Sequence, residues 1–206
     1  SVSGMSRMFM RATSFNGDIS KWDVSSATTM SRMFLLATSF NGDLSKWAVS
    51  SVVGMHYMFL DTASFTQQLC GADWVNSKAS KKGIFIGSSG SISQPECTSS
   101  STSISSTTTT IRTTTAATTT TTTTAFSSQM ELKDAVNTCL QLSPKGDCLF
   151  APYGSISEWD VSTVSDMSSL YANANSFNGD ISQWDVSRVK SMSCMFMSAT
   201  SFDGDL

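Results

Sequence analysis

Hydrophobic positions along this chain fall into columns. Aligning Met5, Met30 and Met55 brings Met8, Met33 and Met58 into a second column and Phe9, Phe34 and Phe59 into a third. Phe15, Phe40 and Phe65 follow, then Ile19, Leu44 and Leu69, and then Trp22 with Trp47, at a step of 25 residues. Ala12 and Ala37 continue to Ala63 with a slip of one. A second block pairs Trp159 with Trp184, Met167 with Met192, Tyr171 with Phe196, and Phe177 with Phe202 at the same step. The polar letters repeat as well: FNGDISKWDV at 15–24, FNGDLSKWAV at 40–49 and FNGDISQWDV at 177–186. A unit this short cannot bury its own apolar side chains, whereas stacked units can, so the period predicts a solenoid.

Two elements are expected in each unit. ISKWDVS is short, β-branched and preceded by Gly-Asp, which predicts a strand. MSRMF carries apolar residues at i, i+3 and i+4, which predicts a short helical or 3₁₀ turn. The expected fold is therefore an α/β repeat, a leucine-rich-repeat-like solenoid. Each 25-residue unit would hold one short parallel β-strand and one such turn, in two segments separated by a Thr-rich linker. Its interior ladders would be Phe9, Phe34, Phe59 and Phe196; Phe15, Phe40, Phe65, Phe177 and Phe202; and Trp22, Trp47, Trp159 and Trp184. Tryptophan alternates with Asp on the expected strand, which favours an interior indole over an exposed sugar-stacking platform.

Breaks in the pattern divide the chain. Residues 1–65 read as the end of a first array, and 66–97 as a C-terminal cap in which Trp74 comes two residues late and Ile84-Phe85 stands in for Met-Phe. Residues 98–128 are Ser/Thr-rich and lack an apolar face, so disorder is expected. This tract reads as an O-glycosylated stalk or as a plain flexible linker, and less readily as a Thr-rich solenoid. Residues 129–151 read as an N-terminal cap: QMELKDAVNTCLQL has helical spacing, and Pro144 and Gly146 stop it. Residues 152–206 then start a second array. The whole reads as a piece of a longer bead-on-string protein.

The pattern MsxMFxxAxxFNGDISxWDVSxV resembles the BspA-type leucine-rich-repeat surface protein family, a Mycoplasma-type 25-residue repeat once classed as a domain of unknown function. The resemblance covers about residues 1–97 and 129–206 and departs at Ala48 and beyond Phe65. It implies a solenoid at the cell surface or outside the cell, often with a role in adhesion, and it supplies no catalytic motif.

Charge narrows the partners. Charged residues make up 14% of the chain and the net charge is -3, with no basic cluster to bind nucleic acid. No apolar run is long enough to cross a bilayer as a helix. Five cysteines allow two pairs and one single thiol. Cys70 with Cys97 and Cys139 with Cys148 both fall in caps, which suits an oxidising compartment; five reduced thiols inside a cell are the alternative. Cys194 replaces Arg7 and Arg32 of other units and reads as the single thiol.

Candidate chemistry is sparse. His56 is the only histidine and aligns with Ser6 and Ser31, which reads as a surface position. The Gly-Asp aspartates Asp18, Asp43, Asp180 and Asp205 would either line up as calcium ligands or support turns, and turn support is the better account. No cofactor, metal or catalytic site is expected. The outward positions of the strand face form the candidate binding face: Lys21, Asp23, Lys46, Glu158, Gln183 and Asp185. The expectation is a non-enzymatic surface or secreted repeat protein that recognises a protein or glycan partner. A purely structural spacer and a glycan- or ice-binding ladder are the alternatives.

Overall fold

The computed structural model describes residues 2–93, 124–149 and 151–204. Its architecture follows from where the backbone N–H groups of Met5–Ala12 go. Every second one leaves the unit: Met5, Arg7, Phe9 and Arg11 donate to the carbonyls of Thr29, Ser31, Met33 and Leu35 at 2.8–3.1 Å. Those between close local turns, Met8 to Met5, Met10 to Arg7 and Ala12 to Phe9. An α-helix needs all of them in i→i−4 bonds. The expected helical turn at MSRMF is thus a run of i→i−3 turns, with Arg7 and Arg11 left-handed at φ 58° and 61°. The same pair recurs as Arg32 and Leu36, Tyr57 and Asp61, Ser169 and Asn173, and Cys194 and Ser198.

The expected strand at ISKWDVS is also turned. Trp22 N–H donates to Ile19 and Ala27 N–H to Val24, while the Asp18 and Asp23 carboxylates take the N–H groups of Ser20 and Ser25. Among the described residues the strands are β1 (Gln68–Leu69) and β2 (Ser91–Ile92), which pair in parallel. The helices are α1 (Ala72–Asn76) and α2 (Gln129–Leu142), with a 3₁₀ turn at Ile156–Glu158.

Parallel bridges give the order of the layers in space: Asp166, Ser191, Gly4, Thr29, Gly54, Ser80. The second block of sequence lies beneath the first and is hydrogen-bonded to it. Met192, Cys194, Phe196 and Ser198 donate to the carbonyls of Gly4, Ser6, Met8 and Met10 at 2.8–3.0 Å, the bonds made at every other step. The rings cross the junction without a change of spacing. Tyr171, Phe196, Phe9, Phe34, Phe59 and Phe85 stack at 5.5–5.7 Å. Phe177, Phe202, Phe15, Phe40 and Phe65 stack at 5.7–6.0 Å. An uncovered layer would leave two rings and a row of backbone groups without partners, so each block covers the open edge of the other.

The far edges are closed differently. Helix α2 buries Leu132, Ala135, Val136 and Cys139, and its Gln129 and Lys133 side chains donate to the carbonyls of Ser168 and Ser169. Cys139 is disulfide-bonded to Cys148, with Cα atoms 5.3 Å apart. At the other edge α1 absorbs the two extra residues before Trp74, whose indole donates to Leu44 O at 2.7 Å. Thr62, not Ala63, holds the alanine column; it is fully buried and its hydroxyl donates to Phe34 O at 2.7 Å. Among the described residues no helix is long and apolar enough to cross a membrane.

Candidate functional site

The residues Glu158, Gln183, Lys21 and Lys46 occupy one position in four layers, and all four are exposed. In spatial order the column runs from an acid, through an amide, to two bases. Asp185 and Asp23, two residues further along from Gln183 and Lys21, lie beside it. The face is therefore charge-graded along the stack.

Its aspartates are committed to the backbone. Asp18, Asp23, Asp43, Asp160, Asp180 and Asp185 each accept the N–H of the residue two further on, at 2.9–3.0 Å. Each bond closes a turn around the carboxylate. Hydrogen bonds from Ser20, by hydroxyl and then by backbone, hold Asp18 below the usual carboxylate range. Ser25, Ser162, Ser182 and Ser187 do the same for Asp23, Asp160, Asp180 and Asp185. Asp205 lies outside the described residues.

A further ladder goes beyond the sequence expectations. Asn41 N–H donates to the Asn16 side chain at 2.8 Å, Thr66 N–H to Asn41 at 2.9 Å, Asn16 N–H to Asp203 at 2.7 Å, and Asp203 N–H to Asn178 at 2.9 Å. The recurring Asn of FNGD is the signal for it.

Of the thirteen core-column residues expected inside, twelve are buried. Trp22 is the exception and is half-buried. Trp159 stacks on Trp184 at 6.4 Å and Trp22 on Trp47 at 6.5 Å. Trp184 and Trp22 lie on opposite sides of a cavity of about 270 Å³, and Val2, Met5, Met8, Ile181, Val186 and Met195 are among its other walls.

The remaining candidates are local. His56 Nδ1 pairs with the Ser31 hydroxyl at 3.1 Å, and its ring meets Tyr57 edge-on. Cys194 carries a free thiol and is half-buried. Cys70 is buried, and Cys97, its expected partner, lies outside the described residues.

Among protein families, the one described as "Mycoplasma protein of unknown function, DUF285" matches residues 1–97 and 148–206. No curated protein and no solved structure matches the chain.

Proposed function

The chain belongs to that DUF285 family of Mycoplasma proteins of unknown function, and from its own surface we propose that it is a non-enzymatic recognition protein of the cell surface or exterior. The layers are those of a leucine-rich-repeat-like solenoid, of the BspA type. Its partner is a protein, bound along the outward column Glu158, Gln183, Lys21 and Lys46. One observation carries this reading. The buried columns hold the same residue type layer after layer, while this outward column changes from acid to base. A graded face sets partner orientation and association rate through complementary charge. The Cys139–Cys148 bond supports an oxidising compartment.

The test is a protein microarray of secreted and surface proteins, probed with wild type and with a Lys21→Glu/Lys46→Glu variant. A hit that the variant loses about tenfold or more supports recognition through this face. A blank array, or hits indifferent to the charge reversal, would leave a structural spacer as the better account.

A further inference from the structure

The edge of the stack that α2 covers is only half satisfied. In the regular layers, carbonyls at alternate positions take a backbone N–H from the layer beneath. Met33 O takes it from Phe9, Met58 O from Phe34 and Met195 O from Tyr171; two residues further on, Leu35 O takes it from Arg11, Leu60 O from Leu36 and Met197 O from Asn173. At the edge layer, 166–173, α2 supplies the donors instead. It carries a polar side chain at every fourth residue, Gln129, Lys133, Asn137 and Gln141, which puts all four on one face. The first two reach the edge, Gln129 donating to Ser168 O at 3.0 Å and Lys133 to Ser169 O at 3.2 Å. The last two do not. Among the described residues nothing donates to Leu170 O or Ala172 O, and the Asn137 and Gln141 amides make no hydrogen bond. Between them lies a groove of about 390 Å³, walled by Asn137, Leu140, Gln141, Leu170, Ala172 and Asn173 among others, none of them charged. Leu170 is buried, and a buried carbonyl without a partner is uncommon.

We propose that this groove is a binding site for a neutral sugar ring. Its two carbonyls only accept, while its two amides both donate and accept. Neighbouring hydroxyls on a ring meet both demands, because each can donate and accept at once. An anion would face the lone pairs of two carbonyls. A cation would find no carboxylate in the walls to offset its lost hydration. A peptide strand needs a continuous row of acceptors, and Gln129 and Lys133 already occupy the carbonyls on one side. Leu140 and Leu170 offer an apolar wall to the C–H face of a ring, and the volume lies at the small end of ligand sites. The site is independent of the charged column, none of whose residues lines it.

The probes are the methyl glycosides of glucose, galactose and mannose, titrated into the isotope-labelled full chain and followed by NMR. Saturable millimolar binding of at least one is expected. The shifts should be confined to the backbone amides of residues 170–174 and the side-chain amides of Asn137 and Gln141. Asn137→Ala/Gln141→Ala, at two exposed helix positions, should weaken binding about tenfold or more while circular dichroism stays unchanged. Lys46→Glu should leave binding intact, and a loss there would place it on the charged face instead. Three sugars without saturation, shifts centred elsewhere, unchanged affinity of the double variant, or equal binding of a trialanine peptide would each overturn the proposal. If the double variant fails to fold, the position of the shifts in the wild-type chain decides the matter.

Discussion

At the scale of single residues, the ring columns tolerate a buried polar atom that nothing satisfies. Tyr171 takes a phenylalanine place in the first ring column, fully buried, with its hydroxyl unpartnered. Burial alone pushes the phenol well above its ordinary pKa. Leaving such a group buried and unpaired costs about 1–3 kcal/mol. Tyr171→Phe keeps the ring stacked on Phe177 and Phe196 and removes the cost, so stability should rise by about 1 kcal/mol. A urea midpoint no higher than wild type would show that water reaches the hydroxyl. The ring columns themselves were legible in the sequence, because a phenylalanine that returns every 25 residues occupies the same point of each layer. The alanine column was legible only as far as Ala37. Its next occupant, Thr62, carries a hydroxyl, and a donor that finds Phe34 O inside the core has no mark in the sequence to distinguish it from a surface threonine.

At the scale of one turn, the sequence shows which residues recur but not the path between them. Apolar spacing at i, i+3 and i+4 is met equally by a helix and by consecutive i→i−3 turns. Only the destination of alternate N–H groups separates the two, and that destination lies 24 residues away. The aspartate turns were the better reading of Gly-Asp, and they carry a pH dependence. Serine hydrogen bonds lower the folded pKa of Asp18, Asp23, Asp160, Asp180 and Asp185. A carboxylate with a depressed folded pKa contributes stability above its unfolded pKa and loses it as pH falls through the folded value. The urea midpoint should therefore hold near neutrality and drop as pH falls below the ordinary carboxylate range of about 4. Asp18→Asn/Asp180→Asn should flatten that drop, because an amide accepts the same N–H at every pH. A drop of unchanged size in the variant would assign the acid sensitivity elsewhere.

At the scale of the whole molecule, the order of layers could not be read from the order of residues. The Thr-rich tract between the blocks suggests beads on a string, and the matching edges that join Met192 to Gly4 are far apart in sequence. In a stack each layer touches only its neighbours, so stability propagates through the interfaces between them. Phe9 lies at the junction, stacked on Phe196 at 5.7 Å below and on Phe34 at 5.6 Å above. Replacing it with alanine opens a cavity at both contacts and costs about 3–5 kcal/mol. The informative readout is distant: the amides of Leu132–Cys139 in α2, which caps the layer two beneath and lies more than 120 residues away in sequence. If the blocks form one stack, Phe9→Ala lowers hydrogen-exchange protection in α2, because the layers it rests on lose their cover. If they are separate beads, protection in α2 stays at the wild-type level while only residues near Phe9 and Phe34 exchange faster. Unchanged exchange in α2 would therefore dismantle the continuous stack.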